Sequence, residues 1–185
     1  MIGAPNVVPD LVTLVDRDYN VVGTEEKIRA HREGKLHRAF SVFVFDNHRN
    51  LLIQRRAAGK YHSAGLWSNT CCGHPRPGES TSAAAARRLA EEMGFSCELH
   101  DAFHIVYRAE LDNSLVEHEL DRVFVGRFNG IPRPDPHEVN GTSWIALSEL
   151  RSRLVADPHR YTAWLRLLLL DDGWSAVEEI LAVRQ

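Results

Sequence analysis

The segment from Gly73 to Phe95 constrains the fold of this chain more than any other. It opens as a loop, Gly73-His-Pro-Arg-Pro-Gly-Glu79, punctuated by two prolines and two glycines. Thr81 to Met93 follows, rich in Ala, Arg, Leu and Glu. These are strong helix formers, and Gly94 is placed to stop the helix in a left-handed turn. The polar residues keep fixed intervals: Gly73, five residues, Glu79, seven residues, Arg87, then Glu91-Glu92 before Gly94-Phe95. Arg87 with Glu91, and Arg88 with Glu92, stand at i,i+4, where ion pairs form along a helix. Such a helix needs a partner to pack on, and the rest of the chain offers strands.

Composition narrows the setting. The chain has 185 residues, 44% hydrophobic and 25% charged, with a formal net charge of −3. The length suits a single domain spanning 1–185, and ~70% of the unfolded surface can be buried at about this size. The charge balance argues against a broad nucleic-acid footprint, which makes a domain basic. No apolar run approaches the ~20 residues that span a bilayer. The start, Met1-Ile2-Gly3-Ala4-Pro5-Asn6, carries neither the basic nor the apolar stretch of a secretory signal. Cys71, Cys72 and Cys97 do not make a disulfide framework. The expectation is a cytoplasmic protein without nucleic-acid or membrane partners. Ten histidines suggest metal or proton chemistry without locating it.

Along the chain, Leu11 to Val22 reads as an N-terminal hairpin. Thr24 is placed to cap a short helix over 25–33, stopped by Gly34. Phe40–Phe45 and Leu51–Arg55 pair across Asp46-Asn47-His48-Arg49-Asn50. Strands are expected at about 103–110, 120–128 and 142–146, and Ile131 to Pro136 reads as a loop. C-terminal helices occupy 149–183. Ser148 caps the first, Asp157-Pro158 starts one running to Leu170, and Ser175 to Glu178 is a capping-box pattern for the last. Strands and helices mix without strict alternation. This predicts an α+β fold, an α/β/α sandwich around a mixed β-sheet, with its core at about 37–150.

The Gly73–Phe95 spacing resembles the Nudix box. That resemblance implies a loop and helix presenting carboxylates to a divalent cation that holds a diphosphate; such hard cations take oxygen ligands. One position departs from the hydrolase form: Arg88 stands where Nudix hydrolases have Glu. A cation there weakens the carboxylate cluster that activates water and adds a phosphate-binding group. The substitution points to diphosphate binding without cleavage, and leaves hydrolysis of a diphosphate-containing substrate as the alternative.

Further blocks sharpen the family. They are Glu-Lys27-x-x-Ala-His31, Leu-His37-x-Ala-Phe, Arg55-Arg56-Ala, Trp67-x-Asn-x-x-Cys72-Gly-His74-Pro, Tyr107-Arg-Ala, Glu117-x-Glu119 and Trp164. Together they resemble the type I isopentenyl diphosphate isomerases from about Leu14 to Trp164. The resemblance implies that His31, His37, His74, Glu117 and Glu119 bind one divalent metal: Mn²⁺, Zn²⁺ or Mg²⁺ by ligand type. It implies that Glu92 holds a diphosphate-linked Mg²⁺, and that Lys27, Arg56, Lys60 and Arg88 clamp the diphosphate of a small isoprenoid substrate. Cys72 and Glu119 are implied as the acid–base pair, Tyr107 as its hydrogen-bonding partner, and Trp164 as an indole face near a carbocation. Read as residues alone, Glu117 and Glu119 share one face of a strand while His118 points away. Ser41 lies near the site without an assigned role, and Arg55 competes with Arg56. His48, His62, His100, His104, His118, His137 and His159 read as structural or solvent-facing.

Overall fold

The computed structural model describes residues 10–170 and 174–183; the Met1–Asn6 start lies outside the described residues. Strands β1 (Leu11–Val15) and β2 (Val21–Glu26) form the expected hairpin. The Asp16 carboxylate closes its turn by accepting from the backbone N–H groups of Asp18 and Asn20, as Asx turns do. Thr24 does not cap a helix, because it is held in the hairpin ladder opposite Thr13. Pairing continues to Glu26, whose side chain accepts from the N–H groups of Ile28 and Arg29 and caps α1 (Lys27–Glu33).

Strand β3 (His37–Phe45) is the axis of the sheet. β8 (Val116–Arg127) runs parallel to it from the His37–Glu119 pair to Phe45–Arg127. β6 (Cys71–Gly73) pairs antiparallel with its middle, setting Cys72 beside Ser41. β4 (Asn50–Arg56) carries β5 (Trp67–Ser68) and β9 (Val139–Ala146), and β7 (Leu99–Glu110) flanks β8. Among the described residues the nine strands form one mixed sheet. β7, β8 and β9 each begin a few residues earlier than the sequence suggests, which brings Glu117 and Glu119 inside β8.

Alternation along β3 sorts the core into two layers. Phe40, Val42 and Val44 join Leu52, Cys71 and Phe124 against Ala84, Ala85, Leu89 and Met93 of α2 (Thr81–Met93). Phe43 and Phe45 face the other way. They meet Val123, Val125 and the helices α3 (Leu147–Ala156), α4 (Ala163–Leu170) and α5 (Trp174–Val183). Helices on both faces make the α/β/α sandwich. His37 and Ser41 share the face of Phe43.

The C-terminal helices depart from expectation. Pro158–Arg160 makes a single 3-10 turn, Tyr161 returns to extended backbone, and α4 starts only at Ala163. The cause is β5: Tyr161 bridges Trp67, and the Thr162 N–H donates to Trp67 O at 2.9 Å. α3 begins at Leu147 with no side-chain cap, so Ser148 lies inside it. Ser175 likewise lies inside α5. Among the described residues no helix is long and apolar enough to cross a membrane.

α2 is pinned at both ends. Ser80 accepts from the Ala83 N–H at 3.2 Å. At the other end, Arg133 N–H donates to Met93 O at 3.0 Å and Asp135 N–H to Glu92 O at 2.9 Å. The proline-rich loop thus satisfies carbonyls that a helix leaves open. Gly94 sits between them at φ 71°, and a Cβ there would stand 2.1 Å from Arg133 O. Gly94→Ala is therefore expected to destabilise the fold by at least about 2 kcal/mol, from left-handed strain plus overpacking. Urea denaturation measures this, and an unchanged midpoint would show that the loop yields freely.

Candidate active site

Two strand registers build the centre of the site. β3–β8 pairing sets His37 opposite Glu119, and β7–β8 pairing sets Tyr107 opposite Glu119 from the other side. Glu117, two residues earlier, projects from the same face. α1 contributes His31, and the chain leaving β6 contributes His74. One ligand atom from each of His31, His37, His74, Glu117 and Glu119 lies within 4.8 Å of all the others. Two donors on opposite sides of a cation at ~2.1 Å stand ~4.2 Å apart, so the cluster has the dimensions of a metal site.

Hydrogen bonding argues for the same role. His31 Nδ1 lies 2.7 Å from Lys27 O, and His37 Nδ1 2.8 Å from Lys35 O. A carbonyl only accepts, so each Nδ1 carries a proton and each ring turns its Nε2, the atom that can offer a lone pair to a metal, toward the cluster. His31 Nε2 and Glu117 Oε2 stand 3.1 Å apart, both buried and without a hydrogen-bond partner. His37 Nε2 and His74 Nε2 are 3.2 Å apart. Such crowding of acceptors is what a bound cation relieves.

The two carboxylates are driven apart in proton affinity. Burial, and then the charge of Glu119, push the Glu117 carboxyl well above the usual range. Burial also raises Glu119, but hydrogen bonding to His37 and His74 outweighs it and holds Glu119 well below. His74 Nε2 lies 2.8 Å from Glu119 Oε1, and burial lowers its pKa to about 4. Two buried carboxylates so placed are not both charged without a cation between them.

A cleft of about 350 Å³ opens over this cluster, inside the ~300–1,000 Å³ range of small-ligand sites. Cys72, Tyr107 and Trp164 line it together with Lys27, Arg56, Lys60, Arg88 and Glu92. Burial, partly offset by Arg56, pushes the Cys72 thiol up to about 12, so it is protonated at neutral pH. The Tyr107 hydroxyl donates to Glu119 Oε2 at 2.5 Å. Trp164 is buried, its Nε1–H donating to Ser68 Oγ at 3.0 Å and Asn69 Oδ1 at 3.1 Å. It is at once core and cleft wall.

Lys27, Arg56, Lys60 and Arg88 all face this one cleft. A register shift between Arg55 and Arg56 on β4 separates the two arginines. Arg56 is buried, with its guanidinium 5.1 Å from the Trp164 ring, while Arg55 is exposed and donates to Gly65 O. Lys27 pairs with Asp10, and Lys60 with Glu138. Arg88 contacts Glu92, Glu91 at 3.0 Å and Glu138 at 3.2 Å. Glu92 is buried and accepts from Gln54 Nε2 at 3.1 Å. Its oxygens keep lone pairs beyond those used by Gln54 and Arg88, which suits a cation shared with phosphate.

Sequence reasoning missed Asp121 and His62, and left Ser41 near the site without a role. Ser41 Oγ donates to Asp121 Oδ2 at 2.8 Å, and Asp121 extends the Glu117–Glu119 row along β8. His62, read as structural, is buried with Nε2 3.3 Å from Glu117 Oε1. Burial, then Arg56, lowers its pKa to about 3. Its one sequence signal was its place in the loop between Arg56 and Cys72.

Comparison with known proteins places this geometry. A family model of the NUDIX domain matches residues 35–165. The chain is 50% identical over 176 residues to "Isopentenyl-diphosphate Delta-isomerase 1" of Aromatoleum aromaticum, covering 95% of each chain. It is 47% identical over 169 residues to the isopentenyl-diphosphate Delta-isomerase of Serratia proteamaculans, covering 91% of this chain and 94% of that one. Among solved structures, a Deinococcus radiodurans protein superposes with a TM-score of 0.74 at 20% identity, covering 86% of this chain and 97% of that one. A MutT protein from Methanosarcina mazei superposes at 0.62 and 18% identity, covering 78% and 95%. These two similarities show the fold. The chain belongs to the NUDIX-domain family and, within it, to the isopentenyl-diphosphate Delta-isomerases.

Proposed function

We propose that the protein interconverts isopentenyl diphosphate and dimethylallyl diphosphate, with Cys72 and Glu119 as the proton-handling pair. The observation that carries this reading is their placement in one cleft. Cys72 on β6 and Glu119 on β8 flank β3 from opposite sides, with Tyr107 bonded to Glu119. One group adds a proton to the terminal alkene carbon, giving a tertiary carbocation or a species close to it. The other removes a proton from the neighbouring methylene, and the double bond has moved. The reaction is reversible, so acid and base exchange roles with direction.

Lys27, Arg56, Lys60 and Arg88 bind the diphosphate, Arg by forked contacts and Lys as point charges. His31, His37, His74, Glu117 and Glu119 would hold one divalent metal (Mn²⁺, Zn²⁺ or Mg²⁺), and Glu92 a Mg²⁺ shared with the diphosphate. A bound dication would offset the Glu117–Glu119 repulsion and fix the Glu119 carboxylate for proton transfer. The Trp164 ring supplies a cation–π contact worth ~2 kcal/mol when desolvated, which is only about thirtyfold in rate. Positioning of Glu119 and exclusion of water carry the larger share. Three free cysteines suit a cytoplasmic setting.

Hydrolysis of a diphosphate, the alternative weighed from sequence, is not favoured, because Arg88 stands among Glu91, Glu92 and Glu138. Incubation with isopentenyl diphosphate and Mg²⁺ in deuterated water tests the reading. The expected product is dimethylallyl diphosphate carrying deuterium. Phosphate release without isomer, or unchanged substrate, would overturn it.

A further inference from the structure

His62 is a buried site residue that no motif assigned. It lies outside the five-donor cluster, so it reaches a cation only through a ligand. Its Nε2 stands 3.3 Å from Glu117 Oε1, while the other oxygen of that carboxylate faces His31 Nε2 at 3.1 Å. The chain around it is held on three successive residues. Tyr61 O accepts from Asn113 Nδ2 at 3.0 Å, His62 O from Arg56 Nη2 at 3.2 Å, and the Ser63 N–H donates to Asp112 Oδ1 at 3.0 Å. Ser63 is thereby kept at φ 50°, an uphill conformation for a residue with a Cβ that persists only where the surroundings over-determine it. Ser63 Oγ lies 3.3 Å from His62 Nδ1. In the tautomer in which Ser63 Oγ donates to Nδ1, the ring proton sits on Nε2, the atom nearest Glu117. The ring also stands edge-on to Trp164, centroids 5.8 Å apart.

We infer that His62 is a positioning residue of the metal centre: it holds Glu117 through Oε1, so that Oε2 stays turned toward His31. The inference rests on the five-residue metal site proposed above. Carboxylate ligands are normally oriented by a hydrogen bond to the oxygen the metal does not use, and losing such a partner weakens metal binding by about 10–100-fold.

The test uses the metal-stripped full chain, Mn²⁺ titrated by calorimetry, Co²⁺ followed by its visible absorption, and thermal melting in parallel. His62→Leu removes the donor at similar bulk; His62→Gln returns an N–H donor near the position of Nε2. The expected result is a 10–100-fold loss of Mn²⁺ affinity and a shifted Co²⁺ spectrum in His62→Leu, with most of both recovered in His62→Gln. Unchanged affinity and spectrum in His62→Leu, while Glu117→Gln loses the metal, overturns the role of His62 and leaves the site standing. Unchanged affinity in both variants overturns the role together with the site. A loss that His62→Gln does not repair also overturns it, because packing rather than the donor would then govern binding.

Discussion

Glu119→Gln lowers kcat by at least about 10⁴-fold, the upper end of what one positioned acid–base group supplies. The expectation follows from how much converges on that carboxylate. Oε1 lies 2.8 Å from His74 Nε2 and 3.6 Å from His37 Nε2, and Oε2 accepts the Tyr107 hydroxyl at 2.5 Å. The amide keeps the shape but gives up the charge, the basic oxygen and half of the carboxylate pair in the metal site. Stability should fall as well. Against burial, the hydrogen bonding that holds the Glu119 carboxyl below its usual range stabilises the fold at neutral pH, so the metal-free variant, lacking that charge, melts lower than the parent. Deuterium incorporation gives the rate, metal analysis gives the occupancy, and thermal melting gives the stability. Near-normal turnover would sink the role of Glu119.

Cys72→Ala also removes isomerisation, by about 10²–10⁴-fold, but with a different signature. The thiol is half-buried at the cleft wall beside Ser41, and it is not among the five clustered donors. Its loss leaves the core packing of β6 to Cys71, so the melting temperature and the Mn²⁺ affinity stay at parent values. Calorimetry and melting therefore separate a missing proton donor from a damaged site. Turnover within a few-fold of the parent would remove Cys72 from the mechanism.

Much of this arrangement was legible in the sequence, for identifiable reasons. α2 announced itself because helix formers over Thr81–Met93 and a stopping glycine, Gly94, agree; its capping Ser80 was not singled out. The Glu117–Glu119 pair was legible because alternation in a strand is a strict rule, although the start of that strand was not. β5 and β6 are two and three residues long, too short to show any period, and they carry the contacts that place Cys72 and Trp164. The break at Tyr161 was hidden because it is imposed by Trp67, far away in the chain. His62 was hidden for the related reason that a loop residue has no periodic neighbours. Its environment comes from Arg56, Asp112 and Glu117, residues that only the folded sheet brings together. Glu26 displaced Thr24 as a cap because strand pairing overrode local preference.

The alternation of β6 has a bearing on redox behaviour. Cys71 turns to the α2 layer, which Cys97 also joins, while Cys72 turns to the cleft. The cleft sulfur therefore has no thiol on its own side of the sheet. If peroxide converts it to a sulfenic acid, no neighbouring cysteine stands ready to trap that acid as a disulfide. The next steps up the oxidation ladder, to sulfinic and sulfonic acid, are irreversible without a dedicated repair enzyme. An enzyme built this way depends on the reducing power of its surroundings, and not on an internal partner, to keep its thiol in service.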